Sequence, residues 1–315
     1  MHIEIAEAVI DADVRDEGRL PNELARTLRG GFGRALREIS CVEAARCCDA
    51  CSLATRCAYG YLFETPVPDD AKIMRKYPHA PHPLVLRAHA QDEDGGVPRL
   101  SIHVGLVGRS IAFFPHVLIA LCTLGRFGLG ARRAEYQVRG VTDQATGERQ
   151  ELAGGSAGIQ GPRPVAAPII LGGPDDRALR VRLVTPLRFV SDGKLVRSLT
   201  FARLVSASLR RLELLWRLHV AEPGAEWTLD SAALVGLAES VPALSDSTHW
   251  HDTDRYSRRQ GQSHPMGGLL GEITFGPEAA MFAPLLSLAG RLHVGKHTGF
   301  GHGHFVVERE EVPSV

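Results

Sequence analysis

The chain has 315 residues with 36 basic and 36 acidic side chains, so bulk positive charge does not drive it onto nucleic acid. Hydrophobic residues make up 44% and charged ones 23%, which supplies apolar material for one large or two ordinary cores and excludes a disordered chain. Arginine outnumbers lysine 32 to four, and guanidinium forks suit phosphates and base edges better than ammonium points do.

The N-terminus, MHIEIAEAVIDADVRDEG, carries acids early and lacks the basic-then-apolar order of a signal segment. Within it IEIAEAVI alternates as a strand. LPNELARTLRGGFGRALREIS then places Leu24, Leu28, Phe32, Leu36 and Ile39 at helical spacing. Gly30 and Gly31 weaken that helix by about 1 kcal/mol each relative to alanine, or let something approach its backbone closely. Arg29 and Arg34, with Arg26 and Arg37, give it a basic face.

Five of the six cysteines fall between positions 41 and 57. Cys41, Cys48, Cys51 and Cys57 read C-x6-C-x2-C-x5-C, and Cys47 could replace Cys48. Four thiolates suit a tetrahedral zinc or an iron–sulfur cluster, and a closed four-cysteine site is structural, not catalytic. In a cytoplasmic chain such clustering favours metal over disulfides. Cys122, alone in an apolar helix, reads as core.

HPLVLRAHA and RLSIHVGLVG are strands joined by the turn-rich QDEDGGVP. The apolar run 111–125 is a helix; it falls short of the roughly 20 residues a membrane span needs and contains Pro115 and His116. A cytoplasmic protein is expected. The helix stops near Gly125, and a loop through Gly128 and Gly130 leads to a strand. Residues 146–168, rich in Gly, Ala and Pro, read as a linker. The pattern then recurs. ALRVRLVTPLRFV is a strand, and Phe201, Leu204, Val205, Leu209, Leu212 and Leu215 line one helix face. A region near DRYSRRQG and GGLLGEITF supplies paired strands. A helix opens at Pro277 and Glu278 and ends near Gly290, before a Gly-rich loop and a last strand. Each half is β-α-β-β-α-β. The expected fold is α+β, with two tandem ferredoxin-like (RRM-like) domains: residues 1–145 with the Cys-rich metal-binding insert at 41–57, and residues 169–315.

The closing stretch GRLHVGKHTGFGHGHFVV (290–307) holds five glycines and four histidines. Gly295, Gly299, Gly301 and Gly303 permit backbone amides to converge on anionic oxygen, and Lys296 adds charge. His293, His297, His302 and His304 match no familiar metal-site spacing. Beside a phosphate, a histidine serves as general acid or base. Upstream, Arg255, Arg258 and Arg259 with Tyr256 and Trp250 mix charge and aromatic faces, as single-stranded RNA binding requires.

These stretches carry a resemblance. RYSRRQ, GGLLGEITF and PLLSLAGRLHVGKHTGFGHG, with LRGGFGRAL, CAYGYLFETP, LGRFGLGARR and VTPLRFV, resemble the CRISPR RNA-processing endoribonucleases of the RAMP superfamily. The resemblance implies two ferredoxin-like domains and metal-independent cleavage of repeat RNA in precursor transcripts. It implies attack by the 2′-hydroxyl, leaving a 2′,3′-cyclic phosphate and a 5′-hydroxyl. Many relatives place a catalytic histidine in or near the first helix, whereas residues 20–45 here hold none. Either the C-terminal loop supplies the chemistry, with His297 or His293 as base, Lys296 as electrostatic stabiliser and Tyr256 as acid, or a tyrosine/lysine arrangement serves, or the chain does not cut. Precursor RNA and other subunits of a CRISPR effector complex are the implied partners. The alternative is a non-cleaving subunit that holds guide RNA.

Overall fold

The computed structural model describes residues 1–15, 20–21, 24–43, 47–48, 50–67, 71, 73–74, 77, 79–91, 99–152, 158–191, 193–252, 254–257 and 262–311, with backbone alone for 254–257 and 262–265. It divides into two compact units. The N-terminal unit comprises Ile3–Ala166 and Leu214–Pro223; the C-terminal unit comprises Met1–His2, Ala167–Glu213 and Gly224–Val315.

The N-terminal unit runs β1 (His2–Val14), α1 (Leu24–Ser40), β2 (Leu84–Gln91), β3 (Arg99–Val107), α2 (Phe114–Phe127), β4 (Tyr136–Asp143), β5 (Arg149–Glu151) and β6 (Val165–Pro168). Its antiparallel sheet has the order β2-β3-β1-β4-β5, and β6 pairs with β1. Alternation along β1 sends Ala8, Ile10, Ala12 and Val14 into the core. On the other face Asp13 accepts from Arg139 at 2.5 Å and Asp11 from Arg149. The glycines of α1 act differently from one another. A Cβ at Gly31 would lie 2.5 Å from Leu124 of α2 and one at Gly33 would lie 2.3 Å from the Phe63 ring, while Gly30 faces open space. Close packing against α1 is therefore realised at Gly31 and Gly33, and Gly30 retains only the helix-weakening cost.

Two sequence expectations change in detail. The segment 146–168 carries β5 and part of the sheet through β6, and the units part between residues 166 and 167. The apolar run is extended by a 3-10 turn, so Gly108–Phe127 forms a continuous 20-residue apolar helix. Half of it is buried, and Val117, Leu118, Leu121 and Leu124 join the unit's own core, as a core helix does.

The C-terminal unit runs β7 (Ala178–Leu187), β8 (Phe189–Ser191), β9 (Lys194–Val196), α3 (Phe201–Leu215), α4 (Ser231–Glu239), β10 (Ala243–Asp246), β11 (His249–His251), β12 (Asp254–Ser257), β13 (Gln262–Pro265), β14 (Gly268–Phe275), α5 (Ala283–Arg291) and β15 (Phe305–Glu310). Its sheet order is β10-β14-β7-β15, with β11 also on β14. Phe201 of α3 packs on Phe275 and Phe282 at ring-centroid distances of 4.9 and 5.3 Å. The strand expected near DRYSRRQG does not join this sheet: β12 and β13 form a separate hairpin, and β10 and β11 pair with β14 instead. All four residues of β10 are exposed, so it lacks the apolar alternation by which strands are recognised.

Candidate nucleic-acid interface

The Gly-rich loop is built where α5 meets β15. A Cβ at Gly290 would lie 2.2 Å from the Phe305 carbonyl oxygen, so helix end and strand start touch backbone to side-chain position. Arg211 of α3 is fully buried and donates Nε and Nη2 to the Leu292 carbonyl at 3.2 and 3.1 Å. Desolvation lowers its guanidinium pKa to about 10. Beyond that anchor the backbone turns left-handed at His293 (φ 59°), Gly295 (92°), His297 (63°), Gly301 (83°) and Gly303 (81°). Such conformations cost a β-carbon-bearing residue energy, and at His293 and His297 the surrounding loop must hold them.

The glycines serve the loop's own packing first. A Cβ at Gly295 would sit 2.5 Å from the Arg188 carbonyl oxygen, and one at Gly303 would sit 1.9 Å from that of Val294. The amides follow suit. Val294 donates to Gly303 at 2.9 Å, Lys296 to Arg188 at 2.9 Å and Gly303 to Pro186 at 3.0 Å. Of the four glycines expected to offer amides to an anion, Gly301 and Gly303 donate theirs within the protein, to Thr298 and Pro186. The part that reaches the surface is 295–300, where Gly295 and Lys296 are exposed and His297 is half-buried.

The four histidines separate in the same way. His293 is completely buried, with Nδ1 2.9 Å from the His302 carbonyl oxygen and its ring stacked on His304 at 5.4 Å. His302 and His304 are buried too. They brace the loop from within, and burial leaves little solvent access to His293, a base candidate, or to His302, which the sequence places among the expected RNA-binding residues. His297 is half-buried, with its ring edge-on to His302 at 5.9 Å and beside Phe300 at 6.3 Å.

Next to this loop lies a basic and aromatic patch. The Lys296 amide bonds to the backbone of Arg188, whose side chain donates to the Gly267 carbonyl at 2.6 Å and stands 5.7 Å from the Trp250 ring centre. The Arg197 guanidinium stands 4.6 Å from the same ring. Trp250 Nε1 donates to Asp252 at 2.6 Å, which fixes the indole. Burial first, and Arg197 second, lower the Arg188 pKa. Cation–π contact of this kind orients guanidinium groups while leaving donors for an anion. Arg188 and Arg197 are absent from the residues the sequence singles out; the only signal for Arg188 is its place inside VTPLRFV.

Other expected site residues lie elsewhere. Arg255 and Tyr256 belong to β12, opposite His264 and Ser263, and their side chains lie outside the described residues. Arg258 and Arg259 are also outside the described residues. In the N-terminal unit Arg29 lies over Phe63 at 4.2 Å and Arg34 over Phe127 at 5.9 Å. Cys41, Cys47, Cys48, Cys51 and Cys57 line one cavity of about 30 Å³. No group of three or more His, Cys, Asp or Glu side chains stands ready to hold a metal ion among the described residues.

Comparison with known proteins fits this division. A family model of an N-terminal domain matches residues 3–163, and the model of the CRISPR-associated endoribonuclease Cas6 matches residues 181–305. An uncharacterised protein of Archaeoglobus fulgidus is 26% identical over 129 residues, which are 41% of this chain and 43% of that protein, so the match spans under half of the relative's length. Among solved structures, a Cas6 product complex is similar with a TM-score of 0.57 and 16% identity, over 96% of this chain and 100% of the other. Thermus thermophilus Cas6 is similar with a TM-score of 0.51 and 16% identity, over 97% and 99%. A chain of a partial Cas6-RT-Cas1–Cas2 complex has a TM-score of 0.52 and 10% identity, over 99% of this chain and 48% of that one. At these identities the similarity is one of fold.

Proposed function

We propose that the chain is a Cas6-type endoribonuclease, on the match of the CRISPR-associated endoribonuclease Cas6 model to residues 181–305, and that it cuts repeat RNA in CRISPR precursor transcripts to release guide RNAs. The observation that carries this reading is local. Within the span matched by the Cas6 model, an exposed Lys296 and a half-buried His297 lie on the loop whose Lys296 amide bonds to Arg188, which with Arg197 flanks the Trp250 ring. Cations and an aromatic face beside an imidazole suit a single-stranded phosphodiester.

The proposed reaction is a transesterification without metal. His297 removes the proton from the 2′-hydroxyl, the freed oxygen bonds to the adjacent phosphorus, and the bond to the 5′-oxygen breaks. A proton passes to the departing 5′-oxygen, leaving a 2′,3′-cyclic phosphate and a 5′-hydroxyl. Lys296 offsets the charge that builds on the phosphorane oxygens. His293 acts in this scheme as a positioning residue through the His302 carbonyl. Tyr256 is the proposed acid, on its place in the hairpin next to β11.

We read each unit as ferredoxin-like, or RRM-like. The β-α-β-β-α-β run with β1 beside β3, and β7 beside β14, supports that reading. The proposed partners are repeat RNA and, after the similarity to a Cas6-RT-Cas1–Cas2 chain, other CRISPR subunits, in the cytoplasm. The test is incubation of repeat RNA with pure protein in EDTA. Discrete products with cyclic phosphate ends are expected. A gel shift with intact RNA would instead favour a guide-holding subunit.

A further inference from the structure

The cysteine insert has no part in the reaction above, and its burial pattern asks for a different explanation. Among the described residues of 41–57 none is buried, and five are half-buried: Cys41, Cys48, Cys51, Ala54 and Cys57. Cys47 is exposed. A segment without a buried side chain has no apolar core to fix it. Yet its cysteines converge from the end of α1, from the turns at 50–56 and from the start of the next helical turn onto a single cavity. The wall behind them is tightly packed. A Cβ at Gly60 would fall 2.1 Å from the Ala54 carbonyl oxygen, so the insert presses directly on the π-helical turn Gly60–Glu64.

We propose that this cavity binds one zinc ion through Cys41, Cys48, Cys51 and Cys57, and that the ion is what orders the insert. Burial separates the two adjacent cysteines: both line the cavity, but Cys48 is half-buried and packed against the core, whereas Cys47 is exposed. Four thiolates at a closed structural site suit one tetrahedral zinc ion, and an iron–sulfur cluster is the competing occupant that the test below distinguishes. The present sulfur positions are those of neutral thiols. The Cys41 and Cys57 sulfurs lie 3.7 Å from the Glu43 and Ser40 carbonyl oxygens, as S–H donors do. Ligation requires each thiol to lose its proton and turn from its carbonyl. Arg37, hydrogen-bonded to Cys41, adds positive charge beside the site.

The test is zinc content of the full chain by elemental analysis, with thiol alkylation before and after chelation. It is independent of RNA cleavage, so its failure leaves the proposed reaction standing. One zinc per chain is expected, with four thiols protected until chelator is added. Cys51→Ser and Cys57→Ser should lose the zinc, while Cys47→Ser keeps it. Cobalt substitution should give thiolate-to-cobalt absorption in the wild type and in Cys47→Ser. Protein that takes up no zinc when refolded with it, or that carries iron with acid-labile sulfide, overturns the proposal. Loss of zinc from Cys47→Ser equal to that from Cys51→Ser overturns the ligand set.

Discussion

In the N-terminal unit, α2 passes Gly125 and the chain reaches β4 through Gly128 and Gly130, with φ of 77° and 71°. In the C-terminal unit, α5 passes Gly290 and the chain reaches β15 through Gly295, Gly301 and Gly303. A Cβ on Gly125 would lie 2.3 Å from the Tyr136 carbonyl oxygen; one on Gly290 would lie 2.2 Å from that of Phe305. Both loops therefore solve the same backbone problem, bringing a helix end against the first residue of the following strand. They differ in what they carry. The N-terminal loop carries exposed Arg132 and Arg133 and no histidine, while the C-terminal loop carries Lys296, His297 and three buried histidines. The glycines serve the fold in both loops; the lysine and histidines are what only the C-terminal loop has.

The strongest break in this comparison is at the shared glycines. Gly125→Ala and Gly290→Ala should each cost about 3 kcal/mol or more of unfolding free energy, since overpacking against backbone leaves no side chain to yield. Chemical denaturation should give similar losses for the two. A large loss in one and none in the other would show that the two corners are not equivalent.

A smaller effect is expected at the patch beside the C-terminal loop. Trp250→Ala should weaken RNA binding by about 1–3 kcal/mol if a base stacks near the indole. Arg197→Ala should lower the slope of log affinity against log salt by about one, as each lost phosphate contact does. Arg132→Ala and Arg133→Ala, at the other loop, sharpen the comparison when they leave both quantities unchanged.

The smallest effect concerns a histidine of the N-terminal sheet. His103 is half-buried on β3, and burial, then Arg87 and His89, push its pKa down to about 4, with Asp11 opposing. The unfolded chain then takes up a proton near pH 6.5 that the folded chain refuses until about pH 4. Stability should fall as pH drops through that window and level off below it. Solvent screening holds the loss to about 1 kcal/mol. His103→Asn should flatten the profile measured by denaturant titration, and an unchanged profile would remove His103 as its source.

Sequence periodicity located the helices because their apolar faces repeat locally: Leu28, Phe32 and Leu36 of α1 are all buried as spaced. The cysteine cluster and the Gly-rich loop were likewise visible as composition. Three things were not. The exposed strand β10 has no apolar alternation. The inward turn of His293, His302 and His304 depends on left-handed residues whose φ no spacing reveals. The approach of Arg188 and Arg197 to Trp250 joins residues more than 50 positions apart in sequence.

Single-turnover cleavage of repeat RNA in EDTA by the wild type and by His297→Ala, with binding measured on the same RNA, tests the central claim most directly. A positioned base contributes about a hundred- to ten-thousandfold. The variant should slow by that order, bind RNA nearly as tightly, and keep the same fold by circular dichroism. Cleavage by His297→Ala at the wild-type rate would contradict the account and place the base outside the C-terminal loop.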